Sequence, residues 1–486
     1  MCLILGYFAK NKFFMIHNLL QLFGVTEDKL KELTTISLAE GGDYSDLFFE
    51  HTLVDELILR DGEVNGAGSH IDYGMGIRVL AGDRTGYAYT EITSMKEMIN
   101  AAKSASIIAK DCKKLEPAVN VTPLEYKNHY PIMVPWEESS ITSRSIYIKE
   151  LNDRIFSLDS RVNKVLGKLT ISLTEILFYN SEGILCADER PMATLSVTVI
   201  MQQGSRIENG SSSRSYRMGA EFLTHQLIDE IAKEVVQNTS ILFDAEIPQG
   251  GEMPVVMGAG GSGILLHEAI GHSFEADFNR QNISIFSEKF GKKICSEEIS
   301  VVDDGTITSN RGAVNFDDEG VPGQKTYMVT EGYLTSYLHD RISARFYNTA
   351  STGNGRRESF RFMPIPRMRA TYMLSGKSKE SDIIASVKKG IYVDTFSNGQ
   401  VQIGAGDFTF YVKSGNLIEN GRLTKPIKDI NIIGNGPMAL ADIIAVADNS
   451  SIDNGAWICG KEQYCPVSCG MPSVLISKLI IGGVQQ

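Results

Sequence analysis

From Thr26 to Leu38 the apolar positions recur at helical spacing. Thr26 stands where an N-cap belongs, and Glu27 and Asp28 sit in the first turn, where carboxylates meet the positive end of the helix dipole. The period then shortens to two. Residues 45–50, 56–60, 77–80 and 86–90 alternate as strands do, with Asp61-Gly62 and Gly82-Asp83 supplying turns between them. Ser94 followed by Glu97 has the form of a capping box and opens a helix predicted to run to about Lys114. A helix is expected over 140–158, strands over 169–178 and 195–202, and a long amphipathic helix over 219–238.

The character of the chain changes after 244–252, where Pro248, Gly250 and Gly251 interrupt the pattern. From Ser300 onward glycine is frequent and short alternating runs appear at 327–330, 333–338, 400–404 and 408–412, which predicts antiparallel sheet. There is no internal repeat and no low-complexity tract.

Composition narrows the function. The 486 residues carry 47 Lys plus Arg against 59 Asp plus Glu, a formal charge of −12, which speaks against direct nucleic-acid binding because phosphates need basic surface. Seven cysteines, an odd number in a long chain, do not make a secreted disulfide framework and point to a reducing compartment. No apolar run approaches the roughly 18 residues of a membrane span, so a soluble, cytoplasmic protein is expected, with no membrane partner. Lys10 and Lys12 follow the apolar start instead of preceding it, the reverse of a signal peptide, and residues 1–15 read as an extension, with Met15 an alternative start.

The stretch Met253 to Asp277, MPVVMGAGGSGILLHEAIGHSFEAD, admits two enzyme readings. In the first, Gly258, Gly260 and Gly263 fit the G-x-G-x-x-G of a dinucleotide-binding oxidoreductase, and Glu288 follows as the acidic residue, but the chain does not repeat strand and helix as a doubly wound sheet requires. In the second, His267, Glu268 and His272 supply two metal ligands and a general base, leaving a third ligand to be found elsewhere. Five residues on a regular helix turn through about 500°, which leaves the two imidazoles about 140° apart. The reading therefore predicts a distorted helix, with Gly271 beside His272 as the weak point and a π-bulge as the repair. Two histidines serving the core are the alternative.

Longer motifs accompany it: HEAIGHSFEADFNR from His267, VVDDGT from Val301, DDEGVPGQ from Asp317, TGNGRRES from Thr352, PIPRM from Pro364, LIENGRLTKP from Leu417 and DNGAWICGKE from Asp453. In this set and order the chain resembles the TldD/PmbA metalloproteases, most closely the TldD subunit, from about Tyr44 to Gly483. The resemblance implies Zn2+ held by His267, His272 and Cys459, with Glu268 as catalytic base. It also implies a PmbA/TldE-like partner in a dimer and hydrolysis of extended, unfolded or flexible peptides. The fold expected is α+β: an amino-terminal α/β domain of mixed helices and antiparallel strands over 16–243, then a sheet-rich domain over 244–486 carrying the metal-binding helix. A non-enzymatic alternative follows from the family's description as a modulator of DNA gyrase, a regulatory or binding protein.

Other residues have lesser claims. Glu275, eight residues after His267, competes as third ligand and is expected to support the site instead. Cys465 and Cys469 stand where relatives carry small residues, either as fillers, as an alternative thiolate or as an oxidation-sensitive pair. Asn354, Arg356 and Arg357 are candidates to clamp a peptide, or else to form a buried ion pair under a turn. Asp303, Asp304, Asp317, Asp318 and Glu319 read as turn residues and caps before a second cation site.

Overall fold

The computed structural model describes residues 14–110, 112–113, 115–402 and 404–483. Of the expected extension, residues 1–13 lie outside the described residues, while Met15 packs against the amino-terminal core. The molecule is α+β.

In the amino-terminal half, α1 (Glu27–Ser37) starts at Thr26, whose hydroxyl accepts from Lys29 N. Strands β1 (Tyr44–Arg60) and β2 (Glu63–Ala81) form a long hairpin turned by Asp61 and Gly62, both at positive φ, a backbone that Gly tolerates and Asp visits. β3 (Arg84–Thr90) adds to β2, and α2 (Met95–Ser106) follows its Ser94 cap. The predicted helix to Lys114 is shorter: it tightens into a 3-10 turn over Ile107–Ala109, and Lys114 itself lies outside the described residues. Next come α3 (Ile141–Leu158), the strands β4 (Val162–Asn180), β5 (Ile184–Gln203) and β6 (Arg206–Tyr216), and α4 (His225–Ser240).

The sheet order is β3-β2-β1-β4-β5-β6, with a short parallel segment, Thr122–Pro123, also on β5. These strands are far longer than the runs visible in sequence. Their two ends serve different cores: Leu47, Phe49, Ile77 and Val79 pack beneath α1 and α2, while Leu57, Leu59, Val165 and Val197 pack beneath α3 and α4. Between the ends burial falls to half-exposed values, so the alternation fades although the ladder continues.

The carboxyl-terminal half begins with β7 (Gly251–Met257). A helical segment, α5, spans 263–274, then β8 (Val301–Asp304), β9 (Lys325–Thr330) and β10 (Ala370–Met373). The chain continues through β11 (Lys389–Val401), β12 (Asp407–Glu419), β13 (Arg422–Asn435), β14 (Ile443–Val446), β15 (Ser451–Asp453), β16 (Ile458–Lys461), β17 (Gln463–Pro466), β18 (Ser468–Met471) and β19 (Val474–Gly482). Strands β13-β12-β11-β7-β19 pair in that order and β19 pairs back to β13, so the ring closes. A second sheet runs β9-β8-β10-β18-β15, and β16 with β17 forms a separate hairpin. α5 is wedged between ring strands β11 and β12 on one side and β10 and β18 on the other, inside the largest apolar cluster.

Buried charge joins the halves. Arg78 of β2, without solvent exposure, donates to Asp46 (2.8 Å) and to Glu319 (2.6 Å) of the carboxyl-terminal half. Replacing Arg78 with methionine is expected to cost about 3–5 kcal/mol, because buried Glu319 loses its paired guanidinium and Asp46 is left with Arg357 alone, at 3.4 Å. Denaturant unfolding measures this, and an unchanged midpoint would refute the account.

Candidate metal centre

The glycines before α5 are consumed by packing. A Cβ on Gly263 would lie 2.3 Å from the backbone N of Gly470 in β18, and one on Gly258 would lie 2.8 Å from the carbonyl of Val393 in β11. Gly260 occupies the left-handed region at φ +78°. The adjoining strands form a mixed closed ring, not a doubly wound sheet, and Glu288 is exposed. The dinucleotide fingerprint is therefore a helix-to-strand contact. Gly263→Ala is expected to destabilise the chain by about 1–3 kcal/mol, since backbone faces backbone and no side chain can yield. Urea titration tests it.

The helix then changes its winding. It is α-helical over Gly263–Leu266, π-helical over His267–Gly271 and 3-10 over His272–Phe274. Bonding from i to i+5 brings the fifth residue back over the first, which repairs the spacing that a regular helix would spoil. The rings of His267 and His272 end up edge to face, with centroids 5.1 Å apart. Gly271 also admits Met368, whose Sδ would lie 2.3 Å from a Cβ at that position.

Cys459 enters from β16. Its Sγ lies 3.2 Å from His272 Nε2, and one donor atom each from His267, His272 and Cys459 falls within 4.8 Å of the others. All three residues are buried. Burial alone would raise the thiol, yet the two imidazoles outweigh it and bring Cys459 down to about 4.

A buried carboxylate supports the site from behind. Glu275 Oε2 lies 2.9 Å from His272 Nδ1, a contact that fixes the ring so that Nε2 is turned toward Cys459. Burial would raise Glu275, but Lys461 (3.1 Å) and then His272 hold it down at about 2. Lys461 also reaches Asp277 at 2.8 Å. Arg367, fully buried, donates to the carbonyls of Cys459 and Gln463 at 2.8 Å each and places Nε 3.8 Å from Glu275. Glu275 is thus a support and not a member of the ligand cluster. Removing its charge, Glu275→Gln, is expected to weaken metal binding about 10–100-fold, read by competition with a chromogenic chelator.

Glu268 sits beside the ligands with Oε2 3.9 Å from His272 Nε2, its side chain 21% exposed. His267, His272 and Cys459 are buried, whereas Glu268 beside them is partly exposed. Two imidazoles and a thiol make a donor set that suits zinc and leaves a tetrahedral position open. The orientation of His272 by Glu275 gives the same set the backing that metal-bound histidines require.

The remaining candidates lie elsewhere in the structure. Asn354 donates to Asp303 (2.7 Å) and to the Arg367 carbonyl (3.0 Å); Arg356 donates to the Pro466 carbonyl (2.8 Å); Arg357 donates to the Asp318 carbonyl (2.9 Å) and approaches Asp46. All three are buried, so this turn is locked onto the acidic segments and offers no open guanidinium. Asp304 accepts from Thr306 N and Asp317 from Glu319 N and Val321 N, the contacts of turns, whereas Asp303 lies in β8 and accepts from Arg369 N and Thr371 Oγ1, far along the chain. Cys465 and Cys469 are buried outside the ligand cluster. Sequence reasoning missed Lys461 and Arg367. Lys461 was within reach, two residues along β16 and therefore on the face of Cys459, whereas Arg367 has no local signal.

Family models give the geometry its relatives. The described PmbA/TldA metallopeptidase domain 1 matches residues 45–109, the central domain 135–243 and the C-terminal domain 250–483. The chain belongs to the PmbA/TldD family. A metalloprotease TldD homolog of Haemophilus influenzae is 39% identical, covering 91% of this chain and 93% of that protein. A zinc metalloprotease TldD homolog of Saccharolobus solfataricus is 26% identical over 91% of this chain and 97% of its own. Among solved structures, TldE of Thermococcus kodakarensis aligns with TM-score 0.73 at 19% identity, covering 94% of this chain and all of that one. A Thermotoga maritima structure whose name refers to modulation of a DNA gyrase aligns with TM-score 0.75 at 19% identity, over 94% of this chain and 100% of that one, a likeness of fold. This chain's metalloprotease TldD relatives support a metallopeptidase, and His267, His272 and Cys459 form a group able to hold a metal ion. Among the described residues no helix is long and apolar enough to cross a membrane.

Proposed function

We propose that this chain is the zinc-holding subunit of a cytoplasmic peptidase that works with a TldE-like partner and cuts extended, flexible peptides. The observation that carries the reading is the convergence of His267, His272 and Cys459 with Glu268 at the exposed side. Zinc bound by the three would act as Lewis acid toward a peptide carbonyl and bring the pKa of its water near 7. Glu268 would accept the proton of the attacking water and return it to the leaving amine. His272, oriented by Glu275, and Cys459, held through its carbonyl by Arg367, keep the ligand set in place. An extended peptide paired along a strand edge engages through main-chain hydrogen bonds, which suits many sequences.

The partner reading is supported by family membership and by the fold shared with TldE. The gyrase-regulator alternative has only a neighbour's name behind it, and a purely binding role gives no reason to gather two imidazoles, a thiol and a carboxylate. The test is co-expression with the TldE-like subunit and mass spectrometry of denatured casein incubated with the complex. Cleavage should disappear with a chelator and return with zinc. Cleavage that persists after metal removal would overturn the proposal.

A further inference from the structure

Hydrolysis leaves Cys465, near the centre, without a role. Cys465 stands directly across the β16–β17 hairpin from Cys459, between the Ile458–Pro466 and Gly460–Tyr464 pairs. Opposed residues of an antiparallel pair keep their Cα atoms about 4.5–5.5 Å apart, inside the roughly 4.4–6.8 Å that a disulfide spans. They also project to one face. Along this hairpin Cys459, Lys461, Gln463 and Cys465 are buried, while Ile458, Gly460 and Tyr464 are exposed. One guanidinium touches both cysteines: Arg367 Nη2 binds the Cys459 carbonyl at 2.8 Å, and Nη1 lies 3.6 Å from Cys465 Sγ. Cys469 has a different setting, in β18, paired with Thr371 and Asp453.

We propose that Cys459 and Cys465 are a disulfide-forming pair, oxidised by peroxide, and that the bond disarms the centre by removing its sulfur donor. The consequence rests on the zinc reading; the pairing does not. In the first step the Cys459 sulfur attacks the peroxide O–O bond, so that sulfur is oxidised to the sulfenic acid and hydroxide leaves. In the second, the Cys465 sulfur gives up its proton and displaces hydroxide from the sulfenic sulfur, closing the S–S bond. Two thiols and one hydrogen peroxide become one disulfide and two waters. A thiol reductant reverses the bond by exchange.

The experiment treats the full chain, zinc-loaded and chelator-stripped, with hydrogen peroxide, then alkylates and digests it with trypsin. Lys461 separates the two cysteines, so the bond shows as two peptides joined in one species that reductant dissolves. That species is expected in wild type and in Cys469→Ser and is expected to be absent from Cys465→Ser; Cys465→Ala serves if serine disturbs the hairpin. Zinc release should keep pace with it in wild type and slow in the Cys465 variants. Sulfinic acid at Cys459 without the joined species, or a joined species that vanishes in Cys469→Ser, would overturn the pairing. A joined species in a chain that never holds zinc would keep the pair and overturn the metal reading instead.

Discussion

Glu268→Gln is expected to lower peptide hydrolysis by about 10²–10⁴-fold, the range contributed by a positioned acid–base group. Metal content should stay at the wild-type value. The two effects separate because Glu268 lies outside the ligand cluster, with its nearest oxygen 3.9 Å from His272 Nε2. Glutamine keeps the size and a hydrogen-bonding head but cannot take a proton. Its side chain is the partly exposed one in the centre, so the neutral substitute leaves no buried charge uncompensated and the fold should be undisturbed. Single-turnover cleavage of a quenched fluorescent peptide, beside zinc analysis of the same sample, measures both. Wild-type rates with full metal would remove Glu268 from the chemistry; a lost metal would make it a ligand.

Cys459→Ala is expected to abolish stoichiometric zinc binding and, with it, hydrolysis. The loss should exceed the roughly 10–100-fold that follows from removing an outer support such as Glu275. Sulfur here does more than fill space: it is held near His272 at 3.2 Å, and the two imidazoles draw the thiol far below its usual range. Alanine removes the sulfur donor and leaves only two imidazoles, a weaker set. Circular dichroism should remain that of wild type, because the β16 backbone is anchored by Arg367 through the Cys459 carbonyl and not through the sulfur. Equal zinc in variant and wild type would overturn the ligand assignment.

Much of the local structure was legible. The Thr26 and Ser94 caps open helices where the pattern placed them, because capping depends on a side chain and the backbone within three residues of it. The distortion at His267–Gly271 was legible too, since two converging imidazoles at a spacing of five cannot be met by an α-helix. Strand lengths were not: residues 51–56 of β1 alternate weakly because the middle of the sheet is covered on neither face as fully as its ends. The run at Arg356 and Arg357 shows the same limit: the sequence leaves a peptide clamp and a buried ion pair equally open, for Gly-Asn-Gly-Arg-Arg reads alike whether it faces solvent or the aspartates beneath it.

By itself the sequence determined the α+β class, the helix that carries His267, Glu268 and His272, and the need for that helix to break from regular winding. It did so because periodicity, caps and residue spacing act over a few residues and leave their mark in order. Only the tertiary structure decided what surrounds that helix. Closure of the ring through β13 and β19 and the seating of β18 against Gly263 place α5 within the largest core; the β16 hairpin then delivers Cys459 from 187 residues away to His272. Arg367, Glu275 and Lys461 meet there for the same reason: a buried ion needs its partners in space, and no spacing along the chain records which strand will bring them.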